Sequence, residues 1–302
     1  MNTQQLHFST APTIAPALLK ALLMPRKGFN SQQGLPPLEA HWQNATVDKD
    51  KLDHYLALLA IAPASTLPIL YPHVLAGSMH MHLLTHRDFP IRLLGAVHLK
   101  NRIIQQQAIS IDAVMDIHSK MAAYRITEKG LEFDFTTEIV VAGQQQWHET
   151  TTYFKAGPFS RHDPVSSDNS FELNKLEHAN KIAEWAIPKN RGKRYAKITG
   201  DYNPIHMSSL LAKIFGFKRD IAHGFGVLAQ ALDQASKHNE NINHAAINHQ
   251  TTQVDVIFKG PVYLESKVNL QQGTTLNDSR FDVYCGENPK PSICLAITNT
   301  QE

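Results

Sequence analysis

Cysteine is scarce in this chain: Cys285 and Cys294 are the only two in 302 residues. Two thiols exclude a disulfide-built scaffold and suit a reducing cytoplasm, and both are expected to be free. An excess of charge of one sign is missing as well. The formal net charge is +2 with histidine neutral, and only one local cluster is basic, so no nucleic-acid partner is expected. A long unbroken apolar run is also lacking. Residues 54–86 contain no Asp, Glu, Lys or Arg, yet Pro63, Pro68 and Pro72 and several polar side chains interrupt them. That stretch reads as buried helix rather than as a membrane span. The N-terminus carries no basic leader ahead of an apolar run, so no signal peptide is expected. No Gly-x-Ser-x-Gly elbow and no phosphate-cradling loop occur, which argues against a serine hydrolase or a nucleotide enzyme.

What is present suffices for a packed protein. Hydrophobic residues make up 42% and charged residues 19%, and the length suits one large domain or two of about 150 residues each. The turn-rich segment from Gly157 to Ser170 is the natural linker. The segments on either side run in parallel at an offset of roughly 150 residues, the mark of a duplicated unit. In the first half an apolar helix over Pro72–Thr85 precedes extended stretches at Gly95–Ile103, Ala113–Met121, Leu131–Val141 and Trp147–Phe154. In the second, a helix over 223–237 precedes Thr252–Phe258, Lys267–Gln272, Phe281–Tyr284 and Ile293–Thr298. Apolar and polar residues alternate from Leu131 to Val140 and from Val254 to Phe258, as half-buried strands require. The predicted class is α+β, each unit a long helix wrapped by antiparallel strands. A further amphipathic helix is expected near Ala15–Met24, packed on the body of the protein.

The densest chemistry lies in Thr199-Gly-Asp-Tyr-Asn-Pro-Ile-His206. Asn203 is a preferred N-cap and Pro204 suits the first helical position, so a helix is predicted from there through Phe215, ending at Gly216. Asp201 then sits just before the helix and His206 in its first turn. The two side chains can converge on one volume and hold a water molecule. A second helix start follows at Ala222-His-Gly-Phe-Gly226, where Gly224 permits close backbone approach and first-turn N–H groups can face an oxyanion. Taken alone, Asp201, Asn203 and His206 also fit an ordinary helix cap. Lys189, Arg191, Lys193, Arg194 and Lys197 precede the motif, and Lys213, Lys218 and Arg219 follow it. Such a cluster is either a solvated face or a grip for phosphate. His80, His82 and His86 lie on the first apolar helix, and only His82 and His86 have the i,i+4 spacing of a metal pair. With no carboxylate in register beside them, no metal is expected.

The run Tyr195-Ala-Lys-Ile-Thr-Gly-Asp-Tyr-Asn-Pro-Ile-His206, followed by Ala212, Gly216-Phe217 and Ile221-Ala-His-Gly224, resembles the MaoC-like dehydratases, which include the (R)-specific enoyl thioester hydratases. It spans about thirty residues, which makes it a specific motif rather than a short chance match. In the first half, Leu67-Pro-Ile-Leu-Tyr-Pro-His-Val-Leu75, Phe89-Pro90 and Gly95-Ala-Val-His-Leu-Lys-Asn-Arg102 are similar to the N-terminal half of two-unit members, among them 3-hydroxyacyl-thioester dehydratases. The resemblance implies a double hot-dog fold: a degenerate unit at 1–158 that accommodates the acyl chain, a linker at about 159–171, and a catalytic unit at 172–302. The first unit contains no Asp-x-Asn-Pro-x-His and is expected to be inactive. Ser208 departs from the acidic or amide residue that many relatives place there.

The resemblance further implies reversible hydration of a trans-2-enoyl thioester to a (3R)-3-hydroxyacyl thioester, with Asp201, His206 and Asn203 as the catalytic set. Gly224 and His223 would bind the thioester oxygen, and Arg191, Lys193, Arg194 and Lys197 the phosphates of coenzyme A or an acyl carrier protein. Packing is the stronger expectation for His223 and for Tyr195. No cofactor is expected beyond the carrier of the substrate, and the location is expected to be cytoplasmic. The chain is expected to act as a monomeric pseudo-dimer or as a homodimer. Two rivals stand beside this reading, an acyl-thioesterase and a non-catalytic acyl-thioester-binding subunit.

Overall fold

The computed structural model describes residues 3–14, 26–93, 95–159, 171–238, 251–274 and 279–300. The expected helix near Ala15–Met24 and most of the expected linker lie outside these residues. The chain divides into two compact units. The first comprises residues 1–46, 71–103 and 112–171, and the second comprises 47–70, 104–111 and 172–302.

The first unit contains Gln4–Phe8 (β1), Leu38–Ala45 (β2), Ala96–Gln105 (β3), Met115–Ile126 (β4), Gly130–Val141 (β5) and Gln144–Ala156 (β6), ordered β1-β2-β4-β5-β6-β3. Antiparallel pairing joins β2, β4, β5 and β6, while β1 runs parallel to β2. The helix that follows β2 is Lys49–Leu59 (α1), and the next is Tyr71–Thr85 (α2). Helix α2 packs on β2, β4 and β5, burying Tyr71, Ala76, Met79, Leu83 and Leu84. Strand β2 alternates as a half-buried strand does: Leu38, Ala40 and Trp42 face the core while Glu39 and His41 face outward.

This core also holds a polar set. His80 Nε2 meets Thr137 Oγ1 at 2.8 Å, and Glu149 accepts from His73 at 2.8 Å and Asn101 at 3.1 Å. Burial alone would raise the Glu149 carboxyl, but the imidazoles and hydrogen bonds offset it and bring its pKa down to about 2.

The second unit contains Asn180–Ile187 (β7), Thr251–Phe258 (β8), Ser266–Thr274 (β9), Ser279–Cys285 (β10) and Ile293–Thr300 (β11), ordered β8-β11-β10-β9-β7 with antiparallel neighbours. Its helices are Arg191–Thr199 (α3), Pro204–Met207 (α4), Ser209–Ile214 (α5) and Gly224–His238 (α6). Helix α6 packs on β7 and β9 as α2 does on its own sheet. Every strand predicted for the two halves is present, and the repeated order of helix and strands is that of the predicted duplication. Both cysteines are free and buried in the second sheet.

The unit boundary departs from a cut at 158 and 172. Residues 47–70 and 104–111 belong to the second unit, because α1 turns its apolar face onto α3 and α6. Leu52, Tyr55, Leu56 and Leu59 are buried there, and the Tyr55 and Tyr195 rings lie 6.2 Å apart. No helix among the described residues is long and apolar enough to cross a membrane.

Candidate active site

The site is assembled by three short turns that sequence dictates closely. Helix α3 stops at Gly200, whose φ of +80° is the left-handed cap that glycine takes without strain. The chain then folds through Asp201, with Asn203 N–H donating to Asp201 Oδ1 at 3.2 Å. Asn203 in turn caps α4, accepting from Ile205 N–H at 3.4 Å, with Pro204 at the first helical position. Asn203 therefore performs the capping job that its position suggests, and the loop that it closes fixes the start of the Asp201 side chain.

The single helix predicted from Pro204 to Phe215 is two. Ser208 is extended (φ −154°, ψ 131°) and separates α4 from α5. The break lets Ile205, Ala212 and Ile221 form an apolar cluster with Phe215, Phe217 and Tyr263, which a straight helix would spread along one face. Gly216 ends the segment at φ +85°, as predicted.

That cluster brings Ile221 against α4. Ile221 N–H donates to Ile205 O at 3.1 Å, and His206 Nδ1 lies 2.9 Å from Ile221 O. A carbonyl can only accept, so Nδ1 carries the proton and Nε2 the lone pair. On the next segment His223 Nε2 lies 2.9 Å from the Asp201 carbonyl, which fixes its tautomer in the opposite sense. The two imidazoles stack with centroids 3.7 Å apart. One ligand atom each of Asp201, His206 and His223 lies within 4.8 Å of the others. The convergence of Asp201 and His206 predicted from the motif is therefore present, with His223 as its third member.

The two ends of this cluster differ in environment. The Asp201 side chain is 42% exposed, whereas that of His223 is 3% exposed and His206 is buried. Burial holds His206 below the ordinary imidazole range despite Asp201 nearby. Burial, and then His206, push His223 down to about 3. Both rings are neutral near pH 7, through desolvation. Three such groups also have the spacing of a metal site, but two of their four ring nitrogens are committed to carbonyls.

Glycines set how closely the elements approach. A Cβ on Gly192 would fall 2.1 Å from the His206 carbonyl oxygen, so α3 and α4 touch only because residue 192 has no side chain. Gly226 plays the same part against Tyr195, whose ring lies 2.8 Å from where a Cβ would be. Gly224 opens α6 with Phe258 equally close, and its turn offers the N–H groups that precede the helical ladder. The motif predicted Gly224 but not Gly192 or Gly226; tight helix contacts leave no local signal in sequence.

Tyr195 and His223, with ring centroids 4.6 Å apart, border a narrow cleft that Ile187, Arg191, Val227 and Gln230 also line. Both packing expectations hold, since each ring is buried, yet both also border the cleft. The predicted basic cluster separates. Arg191 is buried in the cleft wall with Nε and Nη1 lacking acceptors among the described residues, and burial lowers its pKa to about 10. Lys193, Arg194 and Lys197 are exposed on the opposite side of α3, as are Lys189, Lys213 and Lys218 on neighbouring segments. Arg219 is engaged by Glu265 and Asp220.

Comparison with known proteins agrees with this construction. Residues 174–293 match the MaoC like domain. The 3-hydroxyacyl-thioester dehydratase X of Mycobacterium tuberculosis is 28% identical over 198 residues, covering 66% of this chain and 70% of that protein. The crystal structure of HtdX from the same organism superposes with a TM-score of 0.71 at 23% identity, covering 87% of this chain and 100% of that one. A second M. tuberculosis protein, described as having a double hotdog fold, aligns over 93% of this chain and 97% of its own with a TM-score of 0.55 at 9% identity. The chain has the double hot-dog fold, and its residues 174–293 match the MaoC like domain.

Proposed function

We propose that this protein is a hydro-lyase that interconverts a trans-2-enoyl thioester and a (3R)-3-hydroxyacyl thioester, the carrier being coenzyme A or an acyl carrier protein. One observation carries the reading: the carboxylate of Asp201 and the neutral imidazole of His206 share a small volume that is open on the Asp201 side and closed on the His206 side. A water held between them is polarised from both ends. As its oxygen bonds to C3, an O–H bond breaks and the proton passes to the pair, with His206 Nε2 as the acceptor that its tautomer supplies. The electrons of the C2–C3 double bond move to an enolate on the thioester oxygen, and the same proton is returned to C2. Dehydration is the reverse.

The enolate oxygen is stabilised by first-turn N–H groups of α6, Gly224 foremost, an interaction of about 3–4 kcal/mol where such donors have been removed in other enzymes. His223 holds Asp201 through its carbonyl and packs under His206, which makes it a positioning residue. Asn203 acts through the cap it forms. Lys193, Arg194 and Lys197 give the exposed face of α3 a positive potential suited to a phosphorylated carrier.

The test is an assay on enoyl-CoA substrates of increasing chain length, following loss of the enoyl absorbance together with chiral analysis of the product. A (3R)-hydroxyacyl product without thiol release supports the proposal. Thiol release would reassign the site to thioester hydrolysis, and binding without turnover at any length would make the chain a carrier-binding subunit.

A further inference from the structure

Beside the catalytic loop stand apolar side chains that neither the core nor the hydration chemistry uses. Six large apolar side chains are exposed among the described residues, and four of them fall between residues 202 and 214: Tyr202, Leu210, Leu211 and Ile214. The other two, Val97 and Val114, belong to the first unit, so in the second unit this exposure is confined to one short stretch.

Helix α5 presents its faces against the usual rule. Ala212 is buried with Ile205 and Ile221, and that contact, with Phe215 and Phe217, anchors the helix. A surface helix normally directs charged and polar residues outward from such an anchor. Here Leu210 and Ile214, one turn apart, are 72% and 70% exposed, and Leu211 is exposed beside them. A single exposed leucine is ordinary, but neighbouring apolar side chains in water mark an interaction site.

The surroundings of this patch carry charge of one sign. From Lys193 to Lys218 the chain has five basic residues, all exposed, and a single acid, Asp201. Lys213 lies on α5 between the aliphatic side chains, and Lys218 follows the turn at Gly216; neither forms an ion pair among the described residues. An apolar centre with a basic rim complements an acidic protein that has an apolar face of its own. A second copy of this chain fits poorly, because a two-fold contact would set these lysines against their own counterparts. Coenzyme A fits only half of the surface: its phosphates can neutralise lysines but leave Leu210 and Ile214 in water.

We propose that the outward face of α5 docks an acidic acyl carrier protein, which packs apolar side chains on Leu210, Leu211 and Ile214 and sets carboxylates against Lys213 and Lys218. The proposal rests on the hydration reading and fixes the carrier that this reading leaves open. Only α4 separates α5 from the loop that holds Asp201, so a carrier docked there delivers its thioester arm to the exposed end of the catalytic pair.

The test places one acyl group on two carriers. Hydration of a trans-2-hexenoyl group is measured on coenzyme A and on the acyl carrier protein of the same organism, for the full wild-type chain and for L210D, K213E and I214D. Binding of that carrier protein is followed by titration calorimetry. All three positions are exposed, so thermal midpoints should stay near wild type. On the carrier protein, kcat/KM should fall by about tenfold or more in each variant, through KM, and binding should weaken in parallel. On coenzyme A, kcat/KM should stay within about twofold of wild type. Equal changes on both carriers, or none on either, overturn the proposal, as does a wild type that does not bind the carrier protein. If neither carrier supports hydration, the hydration reading fails while calorimetry still decides the docking: binding lost in the variants supports it, and binding unchanged by them overturns it. Sedimentation with phosphatidylglycerol vesicles that the variants abolish, without carrier-protein binding, assigns the face to an anionic membrane and overturns the proposal.

Discussion

His206 and His223 lie face to face at 3.7 Å, each ring pinned by a backbone carbonyl on the other's side of the site: Ile221 O for the first, Asp201 O for the second. The arrangement leaves one lone pair per ring and no freedom to exchange tautomers without losing a hydrogen bond. It makes the chemistry of the site a matter of fixed orientation, and the consequences can be measured.

Replacing Asp201 by Asn keeps an oxygen for the Asn203 N–H and should leave the thermal midpoint near wild type. The carboxylate is lost, and enoyl-CoA hydration should fall by about 10²–10⁴-fold, the usual scale of positioned acid–base groups. His206→Ala should match that loss and also cost about 1–3 kcal/mol of stability, since Ile221 O is left without its donor. Near-normal turnover in either variant, measured at the enoyl absorbance, removes the mechanism.

Gly192→Ala puts a methyl group 2.1 Å from the His206 carbonyl oxygen, where only backbone can yield. Stability should drop by about 1–3 kcal/mol or more, and kcat should fall with it as His206 is displaced. Gly216→Ala is the comparison. It has nothing within 4 Å and a φ of +85°, so it should cost about 1–2 kcal/mol with kcat unchanged. Thermal melts and kcat on the two proteins distinguish local strain from damage to the site.

Arg191 buries a guanidinium whose Nε and Nη1 find no acceptor among the described residues. An uncompensated charge of this kind costs stability, so Arg191→Leu should stabilise the fold by about 1 kcal/mol or more, read as a higher thermal midpoint. If the guanidinium faces an anionic or carbonyl group of the substrate, KM should rise in the same variant. A lower midpoint with unchanged KM would show instead that Arg191 serves packing alone.

The pH dependence follows from the two buried imidazoles, which Asp201, Tyr195 and Arg191 also face. Their folded pKa values lie below that of free histidine, His223 at about 3. The unfolded chain then takes up protons first as pH drops below about 6.5. Their contribution to stability is complete above that pH and is lost on the way down through the folded values. Thermal midpoints should decline between pH 6.5 and 5, less steeply in His223→Gln, and kcat should show no inflection centred at 6.5.

Much of this was legible in the chain. The alternation from Leu131 to Val140 and from Val254 to Phe258 located strands, and Asn203-Pro204 located a helix start to the residue. The motif also named Asp201 and His206 correctly as neighbours in space. What stayed hidden depended on contacts between distant segments. The membership of α1 in the second unit is decided by where Tyr55 and Leu56 pack, and the break at Ser208 by the pull of Ile221 and Tyr263 on both sides of it. The parting of Arg191 from Lys193, Arg194 and Lys197 is a matter of helix phase, invisible until the buried face of α3 is known. Strands β1, β2 and β7 were not foreseen: each is short, and β2 alternates over only its first five residues.

The glycine-to-carbonyl contact at residue 192 has a bearing on any attempt to change what this enzyme accepts. With α3 pressed against α4 at backbone range, no larger residue fits at 192, and Gly226 is similarly constrained by Tyr195. Diversity introduced at those two positions would be spent on misfolded products. Room for altered selectivity lies along the other wall, at Ile187, Val227 and Gln230, where side chains rather than main chain set the boundary.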